Sequence, residues 1–182
     1  MLLDASKAFD RVEYVQLFNL LCSRGLCPRV AKVLIYMYTN QCMSVKWNGV
    51  NSESFACTNG IKQGGVLSPT LFCVYFNELL CRLESSGFGC YVGHKFIGAL
   101  GYADDLAILA PTKLSAQFML NVCEEFARDY KVKFNAAKSV LLLAGRGTES
   151  LDCQLKLNNE DLVLKQQANY LLLLVRKALQ II

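Results

Sequence analysis

Apolar residues recur along this chain with two different periods. From Tyr14 to Arg24, residues Val15, Leu17, Phe18, Leu20 and Leu21 fall at helical spacing and the run stops at Gly25, a C-terminal cap position, so a helix is predicted there. Asp10 is its expected N-cap. A second helix is predicted from Pro28, which suits a first turn, to Asn40, with Val30, Val33, Leu34, Met37 and Tyr38 along one face. Between Cys42 and Cys57 the period becomes two: Met43, Val45 and Trp47 alternate with Ser44, Lys46 and Asn48. Asn48-Gly49 is a hairpin turn signal, so a strand pair is expected. The glycine-rich stretch from Asn59 to Leu67 then leads to a long apolar helix through Glu84, with Ser68 as N-cap and Pro69 in its first turn.

The second half of the chain reads as strands around one further helix. The runs from Lys95 to Leu100 and from Leu106 to Ala110 have the length and composition of buried strands. They flank Gly101-Tyr102-Ala103-Asp104-Asp105, which predicts a β-hairpin with two carboxylates at its bend. Leu114 to Tyr130 is amphipathic, with Phe118, Leu120, Val122, Cys123 and Phe126 on or near the buried side. Val132 to Phe134 reads as extended, Asn135 to Lys138 as a turn, and Val140 to Leu143 as a strand closed by Gly145-Arg146-Gly147. Beyond it, Leu155 to Leu157, Leu162 to Leu164 and Tyr170 to Leu174 predict a small strand-rich appendage. At the other end, Leu2-Leu3-Asp4 reads as the tail of a strand begun upstream. Arg176 to Ile182 stops without a terminating signal, so a piece of a longer protein is expected.

Composition narrows the class more than the chemistry. With 182 residues and 53% hydrophobic content the chain can bury a sizeable core, and its net charge of +4 permits a polyanionic partner without demanding one. The nine cysteines show no C-x-x-C spacing and the single histidine is His94, so zinc-site spacing is absent. The thiols are expected to be reduced and mostly in the core, as in an intracellular protein. No signal peptide is read at the start, since Asp4 and Lys7 follow Met1 at once. No apolar run approaches the roughly 18 residues a membrane span needs, and no membrane partner is expected.

The candidate chemistry lies in the carboxylates. Neighbouring residues of a straight strand point to opposite faces, so Asp104 and Asp105 cooperate only where the chain turns or a third group meets one of them. A hairpin capped by Asp, a common turn residue, is the plain alternative. Asp4 at a strand end supplies the third group. Three hard oxygen ligands suit Mg²⁺, which binds a few carboxylates while keeping waters and substrate phosphates, and two such ions can clamp an in-line phosphoryl displacement.

Three stretches, in this order and spacing, resemble the palm of a reverse transcriptase of the non-LTR (LINE-type) retrotransposon kind. Leu3-Asp4-Ala5-Ser6-Lys7-Ala8-Phe9-Asp10 resembles the first palm motif, Gly60-Ile61-Lys62-Gln63-Gly64-Gly65-Val66-Leu67-Ser68-Pro69-Thr70-Leu71-Phe72 the second, and Tyr102-Ala103-Asp104-Asp105 the third. Phe134-Asn135-Ala136-Ala137-Lys138-Ser139 resembles a fourth, and Asn169-Tyr170-Leu171-Leu172 a fifth, with Leu172 where the family generally has glycine. The resemblance implies an α+β fold, a polymerase palm whose antiparallel sheet packs on helices in a split βαβ-like arrangement, with fingers and thumb largely missing. It divides the chain into a palm over residues 1–145 and, over 146–182, a strand-rich end leading towards the thumb.

The implied activity is RNA-directed DNA polymerisation, the template-dependent addition of dNTPs to a primer 3′-hydroxyl with two Mg²⁺ ions. The partners are then an RNA template, a DNA primer and dNTP, in cytoplasm and nucleus. Asp4, Asp104 and Asp105 correspond to the metal-holding carboxylates and Lys138 to the lysine that protonates the pyrophosphate leaving group. Phe9 corresponds to the bulky residue that closes the sugar pocket, and Gln63 and Gly64 to the loop that packs against the incoming nucleotide and template base. Asp10 and Lys7 are expected to order their loop. A catalytically silent fragment or remnant of such a polymerase is the alternative.

Overall fold

A computed structural model of the chain describes residues 1–143 and 154–165. In order, the elements are β1 (Leu2–Asp4), a 3-10 turn (Phe9–Arg11), α1 (Tyr14–Ser23), α2 (Pro28–Thr39), β2 (Cys42–Met43), β3 (Lys46–Trp47), β4 (Val50–Asn51), β5 (Phe55–Ala56), α3 (Ser68–Ser85), β6 (Tyr91–Val92), β7 (Lys95–Phe96), β8 (Ala99–Tyr102), β9 (Asp105–Ile108), α4 (Lys113–Asp129), β10 (Val140–Leu142), β11 (Lys156–Leu157), β12 (Glu160–Asp161) and β13 (Val163–Lys165). The fold is α+β and its sheets are mainly antiparallel. Among the described residues no helix is long and apolar enough to cross a membrane. The expected turn at Gly145 to Gly147, the strand Tyr170 to Leu174, the fifth motif at Asn169 to Leu172 and the terminal run Arg176 to Ile182 lie outside the described residues.

The chain forms two compact units, one of Met1–Ala8 with the chain from Phe76 onward, the other of Phe9–Tyr75. The first is built on a five-stranded sheet in the order β13-β10-β1-β9-β8, in which only the β10–β13 pair is parallel. Its interior gathers Leu3, Ala5, Leu79, Leu83, Leu106, Ile108, Met119, Leu120, Cys123, Phe126, Phe134 and Leu141, all buried. The Phe76 and Phe126 rings meet edge-on at 6.1 Å, which ties the second half of α3 to α4. Thr112 caps α4 by accepting the Ser115 N–H at 3.1 Å. The apolar face of α4 is Ala116, Met119, Leu120, Cys123 and Phe126, at helical spacing. Phe118, expected inside, stays 42% exposed and stacks on Phe88 at 4.6 Å.

The register beside β1 changes part-way along. Leu2 pairs with Val140, whereas Ala5 bridges Phe134 and the Ser6 N–H donates to the Lys133 carbonyl at 2.8 Å. Residue numbers of facing partners thus sum to 142 at Leu2 and to 139 at Ala5. Three extra residues are looped out on the partner strand opposite Asp4, in the turn from Asn135 to Ser139.

The second unit packs α1 and α2 around Tyr14, Leu17, Phe18, Ala31 and Tyr38, whose three aromatic rings lie 5.6–6.3 Å apart. Asp10 does not cap α1; it lies inside the 3-10 turn, and Glu13 stands at the helix start without a side-chain cap. The face of α2 read from the sequence is also corrected. Ala31 and Tyr38 are its buried positions, while Val30, Val33 and Met37 are exposed, so the buried stripe is much narrower than the apolar one. The hairpin is present as β2–β5 and β3–β4, turning at Asn48 and Gly49, both with positive φ. Both of its faces are exposed.

Candidate active site

The hairpin turns more tightly than its sequence announces. Tyr102 pairs with Asp105, leaving Ala103 and Asp104 as a two-residue turn with Ala103 at φ +51°. Its first strand is Ala99–Tyr102, a correction to the run expected from Lys95. Lys95-Phe96 instead pairs back on Tyr91-Val92, because the chain bends at Gly98, whose carbonyl accepts the Leu109 N–H at 2.8 Å. The second strand, Asp105–Ile108, buries Leu106, Ala107 and Ile108 completely, as its composition predicted.

Asp4 is brought to this turn by strand pairing. β1 and β9 run antiparallel with Asp4 directly opposite Asp105. Facing residues of paired strands project their side chains to the same side of the sheet, so these two carboxylates share a face, with Asp104 next in the turn. Asp104 is exposed; Asp4 and Asp105 are half-buried. Burial, then the negative charges of Asp104 and Asp4, hold the Asp105 carboxyl above the usual carboxylate range. The third motif presents Asp104 and Asp105 side by side; the register makes Asp105 the facing partner of Asp4.

Among the described residues no group of three His, Cys, Asp or Glu is gathered closely enough to hold a metal ion by itself. The chemistry of the donors still fits a hard divalent cation. They are carboxylate oxygens only, their mutual repulsion at Asp105 is uncompensated, and Mg²⁺ accepts one or two carboxylates with substrate oxygens and water completing its shell.

Lys138 reaches the same neighbourhood through the looped-out turn. The Asn135 N–H donates to the Asp4 carbonyl at 2.9 Å and the Asp4 N–H donates to Ser139 Oγ at 3.2 Å, so both main-chain groups of Asp4 on that side are held by the turn that carries Lys138. The Lys138 N–H in turn donates to the Asn135 carbonyl, and the residue is exposed. Asn135 and Ser139 belong to the fourth motif, whose resemblance implies no role for either. The signal available for Ser139 was a hydroxyl placed between a lysine and the first residue of an apolar strand.

Phe9, Gln63 and Gly64 belong to the Phe9–Tyr75 unit. The Phe9 ring stacks on Phe72 at 4.4 Å with 12° between planes. The glycine-rich loop is laced to the turn that carries Phe9, with the Ile61 N–H on the Phe9 carbonyl at 2.9 Å and the Gly60 N–H on the Val12 carbonyl at 2.8 Å. Ser68, expected as N-cap, is itself the first residue of α3; its buried hydroxyl donates to the Lys62 carbonyl at 2.5 Å and closes the loop. Gln63 and Gly64 stand exposed at its tip. The thiols are less internal than expected: of the eight cysteines among the described residues all are free, and only Cys123 is buried.

The chain matches the profile of the family described as reverse transcriptase (RNA-dependent DNA polymerase) over residues 1–172. It is similar to the Retrovirus-related Pol polyprotein from type-2 retrotransposable element R2DM of Drosophila melanogaster, 33% identical over 136 residues that make up 75% of this chain and 13% of that protein. To the Pol polyprotein from type-1 retrotransposable element R2 of Popillia japonica it is 31% identical over 140 residues, 76% of this chain and 20% of that protein. To the RNA-directed DNA polymerase from mobile element jockey of Drosophila funebris it is 28% identical over 142 residues, 75% of this chain and 15% of that protein. The chain spans a fifth or less of the length of these curated relatives. With the family profile covering nearly its whole length, the chain belongs to the reverse transcriptase family, a family of nucleotidyltransferases, and its relatives within that family are polymerases of non-LTR retrotransposons.

Proposed function

We propose that the chain is the palm segment of an RNA-directed DNA polymerase, adding dNTPs to a DNA primer on an RNA template. The observation that carries this reading is the register of β1 on β9, which faces Asp4 with Asp105 at the root of a two-residue turn bearing Asp104. In the reaction the primer 3′-oxygen forms a bond to the α-phosphorus of the dNTP, the bond to the pyrophosphate breaks, and the hydroxyl proton passes to solvent water. Two bound Mg²⁺ ions would supply Lewis-acid stabilisation of the charge that builds on the attacking and leaving oxygens. Asp4, Asp104 and Asp105 are the carboxylates that would hold them, with substrate oxygens and water completing the shell. Lys138, carried on the turn pinned to Asp4, donates a proton to the departing pyrophosphate.

Phe9, kept in place by its stack on Phe72, closes the sugar pocket against a ribose 2′-hydroxyl, and Gln63 and Gly64 meet the incoming nucleotide and the template base. The glycine at position 64 leaves open space where a side chain would stand, which suits close approach by a base or sugar.

The test uses a longer polypeptide that contains this segment with its flanking regions. It is expected to extend a DNA primer on RNA with Mg²⁺, and Asp104→Ala is expected to abolish extension while leaving the melting temperature nearly unchanged, since Asp104 is exposed. Full activity in that variant sinks the assignment. Extension by the 182-residue chain alone would exclude the silent-fragment alternative.

A further inference from the structure

Asp4 is held by a side chain that stands where a main chain should be. If the register of Leu2 with Val140 continued, Asp4 would face Lys138 and its N–H would meet the main chain of that strand. The turn from Asn135 to Ser139 lifts Lys138 out of the ladder, since its N–H is spent on the Asn135 carbonyl. The acceptor that Asp4 loses is replaced by Ser139 Oγ at 3.2 Å. The same hydroxyl donates to the Asn135 carbonyl at 2.7 Å, and Ser139 is completely buried. One hydroxyl therefore closes the looped-out turn and fastens it to the residue on which the carboxylate sits.

We propose that Ser139 is a positioning residue for the carboxylate site, fixing Asp4 and the base of the Lys138 turn against one another through its two hydrogen bonds. The inference rests on the carboxylate reading given above and adds to it a residue outside the carboxylates. Removing the hydroxyl frees a part-buried N–H beside the site and loosens both ends of the connection. A group that orients a metal ligand from behind alters metal affinity by about tenfold or more when it is lost.

The experiment compares the unmodified chain, Ser139→Ala and Ser139→Thr, reading Mn²⁺ affinity by electron paramagnetic resonance, amide exchange by nuclear magnetic resonance, and melting temperature. The expected result is a protected Asp4 amide in the unmodified chain. Ser139→Ala should exchange faster at Asp4 but not in β8 and β9, and bind Mn²⁺ about tenfold more weakly. Ser139→Thr, which keeps a hydroxyl, should restore both. Unchanged Mn²⁺ affinity and unchanged Asp4 exchange in a folded Ser139→Ala chain overturn the inference. If that variant does not fold, the other two chains decide: an Asp4 amide open to exchange in the unmodified chain overturns it, and protection in both supports it. If the unmodified chain takes up no Mn²⁺, the carboxylate reading fails separately, and exchange at Asp4 alone decides the role of Ser139.

Discussion

Asp105 is where like charges crowd most, and its burden can be measured without any substrate. Burial and the neighbouring Asp104 and Asp4 raise its pKa in the folded chain above the ordinary carboxylate value. Between those two values the native chain binds more protons than the unfolded one, so stability falls as pH rises through that interval and stays lowered at neutral pH. Asp105→Asn removes the charge and keeps the shape. In the metal-free chain it is expected to raise the melting temperature at neutral pH, with the gain shrinking to nothing in acid, where both side chains are uncharged. Melts at the two pH values check this, and a lower neutral-pH melting temperature in the variant would rule out the crowding. Next to it, Ala103 holds a left-handed conformation that costs an L-residue about 1–2 kcal/mol, maintained by the Tyr102–Asp105 pairing around it. Nothing in the letters Ala103-Asp104 announces so tight a turn; the motif made the carboxylates legible, and only the ladder shows the strain.

At the scale of elements, the glycine-rich loop separates two uses of one residue type. Gly60 and Gly64 both have positive φ, at +81° and +78°. A Cβ on Gly64 would meet open space, whereas one on Gly60 would lie 2.9 Å from the Asp10 carbonyl oxygen, a main-chain atom that cannot step aside. Gly64→Ala is therefore expected to cost about 1–2 kcal/mol from conformation alone, and Gly60→Ala clearly more. Urea denaturation of the two variants measures the difference, and equal losses would mean that the loop does not press on the 3-10 turn. The second motif holds Gly60, Gly64 and Gly65 alike; in the structure a Cβ on Gly65 would meet the Ser68 hydroxyl oxygen at 2.6 Å, and Gly60 is the one whose nearest atoms are all main chain. Elements set by local rules were legible: α1 ending before Gly25, α2 opening at Pro28, the turn at Asn48-Gly49, and the strand of Leu106 to Ile108. Those set by partners far along the chain were not. The length of the strand before Tyr102 depends on where Gly98 meets Leu109, and the cap of α1 on how the 3-10 turn ends, and neither leaves a periodic trace.

For the molecule as a whole, charge and exposure are unevenly shared. The Phe9–Tyr75 unit holds six Lys and Arg against three Asp and Glu, so +3 of the net +4 resides there. That bias favours approach of a polyanion to this unit. The same unit shows an apolar ribbon face of Met43, Val45, Trp47, Val50 and Phe55, none less than 39% exposed. Alternation in the sequence identified Met43, Val45 and Trp47 as one face, and the pairing of Trp47 with Val50 and of Met43 with Phe55 adds the other two, but alternation cannot tell whether a face is covered. Trp47 is the single tryptophan and is 77% exposed, which makes it a reporter of that surface. Its fluorescence in the free chain is expected to match a solvated indole, with acrylamide quenching close to that of a model tryptophan and little spectral shift on unfolding. A blue-shifted, protected emission would show the ribbon covered in solution.

The shift of register beside β1 also governs which insertions and deletions the fourth motif can absorb. Side chains alternate between faces with period two, and the loop holds an odd excess of three residues. That odd number is what turns Phe134 to the buried side with Ala5 and Leu3; in an unbroken strand, Phe134 and Val140 would share the face of Asp4. Lengthening or shortening the turn by two residues keeps this parity, whereas a change of one or three sends an aromatic ring of the core to the carboxylate face. Length variation at this turn is thus quantised in pairs, and a lineage that loses one residue there must lose or gain another before its core can close.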